Sequence, residues 1–336
     1  MFGAPDIVCD SEQTFARNWV TCCPSMNWLY TERCMLRSMK DMEGYTIGAT
    51  DGGIGHVKDF YFDDEAWVIR YLVVETGAWL SSRRVLISPI AINQPNWSEK
   101  SFPAEITQEQ VENSPNIDTD KPVSRQHEIA YSGFYRYPYY WGGGGLWGNG
   151  VYPGMTRSGV GPGGMSESLA ARPRKSSAEV EAEAKRRQHD DPHLRSGNAI
   201  VKYDVHATDG DIGHVQGLLI DERSWAIRYL IVNTSNWWVG HEVLIAPQWI
   251  EGVSWNDRNV SVSLTRDAVR SSPAHTPGTR TERDEETRIH DHYGRPGYWA
   301  REVQLQNPEY HTIPSVSPGA IGKTFDGVTK DKHHEI

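Results

Sequence analysis

Ala49-Thr50-Asp51-Gly52-Gly53-Ile54-Gly55-His56-Val57 returns later in the chain as Ala207-Thr208-Asp209-Gly210-Asp211-Ile212-Gly213-His214-Val215, an offset of 158 (207 − 49). The same offset carries Leu36-Arg37-Ser38 onto Leu194-Arg195-Ser196, Arg70-Tyr71-Leu72 onto Arg228-Tyr229-Leu230, and Tyr140-Trp141 onto Tyr298-Trp299. A constant offset over so long a stretch means two copies of one folding unit. Residues kept in both copies serve the unit itself. They are Asp51, Gly52, Gly55, His56, Trp67 and Arg70, matched by Asp209, Gly210, Gly213, His214, Trp225 and Arg228.

Within a copy the elements read as short strands. Tyr45–Ala49 is strand-like, Asp51-Gly52 is a tight turn because glycine tolerates positive φ, and Ile54–Val57 with Phe60–Phe62 continues the sheet. Trp67–Val74, rich in β-branched and aromatic residues, reads as a long central strand. Its apolar residues fall on both faces, which suits a strand curled inside a small barrel. Val85–Ile87 ends at Pro89, and Phe102–Ile106 is the last strand. Thr107 with Gln110 fits a capping box for a short helix that stops before Ser114-Pro115. The second copy repeats these elements, down to Thr265 and Ser272-Pro273. The expected fold class is mainly β: two tandem small antiparallel barrels, each followed by a short helix and joined by a flexible linker.

The divisions follow from the repeat. Residues 1–34 are an extension holding all four cysteines, Cys9, Cys22, Cys23 and Cys34. Two readings of it stay open: a genuine segment, or a misplaced start with Met35 as the true one. Residues 35–115 form barrel 1 and 116–141 its polar tail, 142–193 a Gly-rich and charged linker, 194–273 barrel 2, 274–299 its tail, and 300–336 a C-terminal tail of disordered composition. As a flexible coil, the linker would reach roughly 40 Å, far enough for the barrels to dock on each other or to grip two partners. Within it, residues 172–188 read as a solvated helix, with Ser176 and Glu179 as its cap and Glu181–Lys185 and Glu183–Arg187 as i,i+4 pairs.

Composition excludes several function classes. The 336 residues carry a net charge of −10, which argues against bulk nucleic-acid binding. No apolar run approaches the ~20 residues of a membrane-spanning helix, and no secretory leader is visible, so the cytoplasm is the expected location. No cysteine lies in either copy, and the four in the extension do not match a zinc pattern, so no metal site is expected. No nucleophile elbow, phosphate-binding loop, HExxH or dinucleotide fingerprint is present. Catalytic residues: none. Cofactors: none.

The pattern Ala-Thr-Asp-Gly-x-Ile-Gly-His-Val, then Trp-x-Ile-Arg-Tyr-Leu-x-Val, then Val-Leu-Ile-x-Pro resembles the PRC-barrel family. In the first copy it lies at Ala49–Val57, Trp67–Val74 and Val85–Pro89, and in the second at Ala207–Val215, Trp225–Val232 and Val243–Pro247. The family is named for the cytoplasmic domain of the photosynthetic reaction centre H subunit, and it includes a domain of a ribosome maturation factor and many stand-alone bacterial proteins. The resemblance implies a compact β-barrel used as an adaptor or assembly module, with no shared catalytic set. The H subunit carries a membrane helix, for which this sequence has no candidate, and the ribosome factor has a basic, RNA-contacting partner domain that is not seen here.

The remaining candidates are for partner binding. Trp79 and Trp237 match, and Trp238 adds a ring; partner anchor and barrel-end cap both stay open for them. The loop after each tryptophan diverges, from Ser81-Ser82-Arg83-Arg84 to Val239-Gly240-His241-Glu242, and this basic-to-acidic change marks where two different partners would be distinguished, or where one barrel would recognise the other. His56 and His214 suit proton carriage or metal binding, but no second ligand travels with them, so they read as polar residues at strand starts. Asp63 with Arg70, and Asp221 with Arg228, read as exposed cross-strand ion pairs contributing ~0–1 kcal/mol. The expected function is a non-enzymatic scaffold that binds protein partners through two barrels. The alternatives are an accessory docked on a membrane redox or photosynthetic complex, and a ribosome-assembly adaptor. Duplication raises effective concentration when two weak sites act together.

Overall fold

The computed structural model describes residues 35–115, 123, 125–141, 145–148, 150–157, 194–234, 241–278 and 281–300. The extension 1–34, the charged segment 172–188, Trp237 and Trp238 lie outside the described residues. The first half runs β1 (Leu36–Ser38), α1 (Met39–Met42), β2 (Thr46–Gly48), β3 (Gly53–Asp63), β4 (Val68–Glu75), β5 (Arg84–Ile87), β6 (Ser101–Pro103), α2 (Gln108–Glu112), α3 (Arg125–Tyr135) and α4 (Pro153–Arg157). The second runs β7 (Leu194–Ser196), α5 (Gly197–Ile200), β8 (Asp204–Ala207), β9 (Gly210–Asp221), β10 (Ile227–Asn233), β11 (Glu242–Ile245), β12 (Ile250–Ser254), β13 (Asn259–Val262), α6 (Arg266–Arg270) and α7 (Arg283–His292). All of these belong to one unit, which ends at Arg295. In the separate unit that starts at Pro296, the rings of Tyr298 and Trp299 meet edge to face at 5.1 Å.

Two mixed sheets result. Their strand orders are β5-β4-β3-β2-β6 and β11-β10-β9-β8-β13-β12. The expected closed antiparallel barrels are corrected on two points. Among the described residues neither ladder closes on itself, and β2–β6 and β8–β13 pair in parallel. The physical reason is the path of the chain. After β5 it takes a 3-10 turn at Pro89–Ala91, where proline cannot extend the ladder, and returns to the far edge of β2 running the same way.

The central strand starts later than expected, at Val68 in the first half and at Ile227 in the second. Trp67 and Trp225 stand before it in left-handed turns, with φ of 55° and 60°. The apolar residues of β4 are buried on both faces, as the sequence indicates, but each face meets something different. One carries Leu72, fully buried opposite Phe60 of β3. The other carries Tyr71 and Val73, which form a second core with Tyr61, Leu86, Val123, Tyr131 and Leu194 under α3. Tyr131 meets Tyr71 edge to face at 4.9 Å and donates its hydroxyl to the Leu86 carbonyl at 2.9 Å. Parts of the polar tails are thus helices, α3 and α7, which pack on the sheets through Tyr131 and His290. Their sequences conceal this: α7 (RDEETRIHDH) buries Glu286 and His290 beside Ile289, so the usual apolar stripe is replaced by polar side chains.

Part of the expected linker is also structure. Trp147 is buried and donates its indole N–H to the Ser224 carbonyl at 2.7 Å, and Tyr152 lies under Arg223 at 4.6 Å. Residues 158–193 lie outside the described residues. Among the described residues no helix is long and apolar enough to cross a membrane.

Candidate functional site

The repeat-defining residues fall into two groups. The first builds a seam between the halves. β1 leaves its own half and pairs with β9, in the register Leu36↔Asp221, Arg37↔Ile220 and Ser38↔Leu219. β7 reciprocates on β3, with Leu194↔Asp63, Arg195↔Phe62 and Ser196↔Tyr61. Arg37 reaches Glu222 at 2.6 Å and lies 4.1 Å over Trp97; Arg195 reaches Asp64 at 3.0 Å and lies 4.6 Å over Trp255. At the centre Trp67 and Trp225 exchange backbone bonds. The Ile69 amide donates to the Trp225 carbonyl at 2.8 Å, and the Ile227 amide donates to the Trp67 carbonyl at 2.7 Å. The positive φ turns each carbonyl toward the opposite half. These tryptophans were expected in a central strand, and they serve the seam instead.

The second group sets the hairpins. Asp63–Arg70 (3.2 Å) and Asp221–Arg228 (2.8 Å) are ion pairs as expected, but they are buried rather than exposed. The carboxylates also close the turn: Asp63 accepts from the amides of Glu65 and Ala66, and Asp221 from those of Arg223 and Ser224. Arg70 continues to the Leu146 carbonyl at 2.6 Å and stacks 3.8 Å over Tyr140. Burial alone would raise the Asp221 carboxyl, but the Arg228 charge and hydrogen bonds outweigh it and hold the group below the ordinary carboxylate value.

The Asp-Gly turns extend beyond their hairpins. Asp51 accepts from the Gln108 amide at 2.8 Å and Asp209 from the Arg266 amide at 2.7 Å, so each aspartate ties the first turn of α2 or α6 to the sheet. Thr107 and Gln110 form the expected capping box. Gly52 and Gly210 sit in these turns, the latter at φ +138°. Gly55 and Gly213 permit close backbone approach: a Cβ at either would collide with the carbonyl of Glu75 or Asn233. His56 is exposed opposite Thr46 and Glu75, and His214 is half-buried opposite Asp204 and Asn233. Among the described residues no group of three or more His, Cys, Asp or Glu side chains could hold a metal.

Of the partner-binding candidates, Trp79 and Arg83 share the connection between β4 and β5, and Arg84 is the first residue of β5. Trp79, on a 3-10 turn, is 39% exposed, yet its indole N–H donates to the Ile54 carbonyl at 2.7 Å, so the ring is held in place while its face stays open. Arg83 donates to the carbonyls of Glu112 and Ser114 at 3.0 and 2.7 Å and fastens the end of α2. Arg84 is exposed and pairs in register with Glu75. His241 is exposed, and its carbonyl accepts from Thr234; half-buried Glu242 pairs with Asn233. The structure thus brings Trp79, Arg83 and Arg84 together where the connection enters β5, and puts His241 and Glu242 at the matching entry to β11 of the other sheet.

Sequence reading missed the buried polar residues. Glu128 and Glu286 share the offset of 158, and both are buried. Glu128 accepts from the Tyr140 hydroxyl, and Glu286 pairs with Arg283 at 2.9 Å. His290 lies 3.1 Å from the Tyr229 hydroxyl, whose ionisation is pushed far up by burial and then by Glu286. The offset itself was the available signal. It identifies matched positions but does not say which way a side chain points.

One of these buried groups sets a pH dependence. His275 is buried, with its amide donating to the Glu242 carbonyl at 2.7 Å and its Nδ1 3.9 Å from Glu285. Burial lowers its pKa, partly opposed by the charge of Glu242. The folded state therefore binds fewer protons than the unfolded state, and stability is lost as pH falls through the unfolded histidine value of about 6.5. The unfolding midpoint is expected to be lower at about pH 5.5 than at about 7.5, with a smaller difference in His275→Gln. Equal pH differences in the two proteins would exclude His275 as the cause.

The PRC-barrel domain family model matches residues 38–98, from the end of β1 to the segment before β6. No curated protein matches the chain. A PRC-barrel domain is therefore present in the first half, and it contains the Asp-Gly turn, the Trp67 turn and the Trp79 loop.

Proposed function

We propose that this chain is a non-enzymatic protein-interaction module. In this reading the second half is a second PRC-type unit, supported by the matched residues and by a strand order that repeats β5-β4-β3-β2 as β11-β10-β9-β8. The two units present one body to a protein partner, with Trp79 as the anchor. The observation that carries this reading is the Trp79 ring, exposed within the matched family domain and fixed by its bond to Ile54. A large aromatic surface that is already immobilised loses little rotamer freedom on binding, and such residues dominate interface energetics.

The test is capture from a lysate of the native host by the immobilised full-length chain. The wild type is expected to retain a protein that Trp79→Ala retains at least tenfold less, as for an interface anchor. Both proteins should unfold within about 3 °C of each other, because an exposed ring adds little to the core. Equal capture by the two proteins would remove Trp79 as the anchor, and wild-type capture of nothing would remove the interaction reading.

A further inference from the structure

The seam is nearly symmetric in backbone, but its side chains differ in size in a consistent direction. Where the halves cross, Val68 of β4 forms a bridge with Ala226 of the second half. Gly197 at the start of α5 is buried against Met39 of α1, and a Cβ there would collide with the Met39 sulfur and come within 3.3 Å of the Phe60 carbonyl. Phe62 lies 6.3 Å from Trp255, and Phe102 lies 5.7 Å from Trp225. With the offset of 158, Val68 matches Ala226, Met39 matches Gly197, Phe62 matches Ile220 and Phe102 matches Val260. At every one of these buried positions the first half has the larger side chain and the second the smaller.

A polar contact has the same asymmetry. Asp59 of β3 accepts from the Ser196 hydroxyl at 2.5 Å and from the Asn198 amide at 3.1 Å, across the seam. The matching position in the second half is Gly217, which has no carboxylate to offer.

We infer that the seam is a heterospecific interface, in which the first half recognises the second half and neither recognises its own kind. The exchanged strands cannot supply this discrimination, because both read Leu-Arg-Ser. Size supplies it. In a pair of first halves, Met39 would meet Met39, Val68 would meet Val68, Phe62 would pack on Trp97 and Phe102 on Trp67. That pair is overfilled, and close-packed interiors resist added volume. In a pair of second halves, glycine would face glycine, alanine would face alanine, and Ile220 and Val260 would leave space beside Trp255 and Trp225. That pair is underfilled and lacks the Asp59 contacts. The matched pair conserves total volume. Pairing of like halves from separate copies of the chain is thereby discouraged, and the two halves hold each other without help from the segment that joins them.

The test uses the full-length chain with a protease site placed within residues 158–193, cut after folding. Size-exclusion chromatography with light scattering should find the two fragments eluting together as a 1:1 pair across a dilution series, with no species containing two first fragments. Fragments that part on cutting, or homodimers of the first fragment, would overturn the inference. A second arm exchanges the sizes in the uncut chain. Gly197→Met should lower the unfolding midpoint by about 5 °C, and adding Met39→Gly should recover more than half of that loss, because the exchange restores the total volume. Additive losses in the double variant would show that Met39 and Gly197 are not matched, and would equally overturn the inference.

Discussion

Gly213→Ala is expected to destabilise the second half by about 3 kcal/mol, lowering the unfolding midpoint by roughly 6–12 °C. Two independent costs combine. Gly213 adopts φ +131°, a conformation that side-chain-bearing residues rarely take, and an added Cβ would strike the Asn233 carbonyl of the neighbouring strand β10. Backbone cannot move aside as a flexible side chain can, so relief requires the β9–β10 ladder to open at its His214–Asn233 end. Gly55→Ala meets the same obstruction from the Glu75 carbonyl but carries no positive φ, and is expected to cost about 1–2 kcal/mol less. Thermal or denaturant unfolding of both variants checks the order. Equal losses would mean that collision dominates and the dihedral contributes nothing, and a loss under about 1 kcal/mol in either would refute the close approach.

Asp221→Ala is expected to cost about 3–5 kcal/mol, the loss typical of removing one partner of a buried ion pair. Three groups lose the carboxylate at once: the Arg228 guanidinium, 6% exposed, and the amides of Arg223 and Ser224. The pH dependence follows from sign. The folded Asp221 carboxyl is held below its ordinary value, so its stabilisation is complete above about pH 4 and is lost as pH falls through the folded value. Acid unfolding of Asp221→Asn should therefore be shallower below about pH 4 than that of the wild type. An unchanged acid limb would show that another carboxylate governs it.

Trp67 and Trp225 show where sequence reading reached its limit. Their conservation between copies marked them as serving the unit, and the β-rich run after each was read correctly as a buried strand. Nothing in the residues themselves reported the positive φ that takes them out of that strand and turns their carbonyls toward the opposite half. The ion pairs were legible as pairs, because aspartate and arginine flank one hairpin, but not as buried: Arg70 lies against Leu146 and Trp147, which the composition assigned to a linker. Helix α7 was illegible for a related reason: its buried face is Glu286, Ile289 and His290, and a periodicity search weighs only the isoleucine.

The Asp-Gly turns, the alternation of strands and the capping box at Thr107 are local, set by φ preferences and by hydrogen bonds a few residues apart, and the chain alone determined them. It also determined that there are two similar halves, because the offset of 158 is a property of the string. What it could not determine is which half each strand serves. Leu36-Arg37-Ser38 and Leu194-Arg195-Ser196 are identical, and a strand hydrogen-bonds through a backbone that carries no address. Only the tertiary structure decided that β1 crosses to β9 and β7 to β3, because that pairing is made together with contacts across the seam, Met39 with Gly197 and Val68 with Ala226, between residues far apart in the chain.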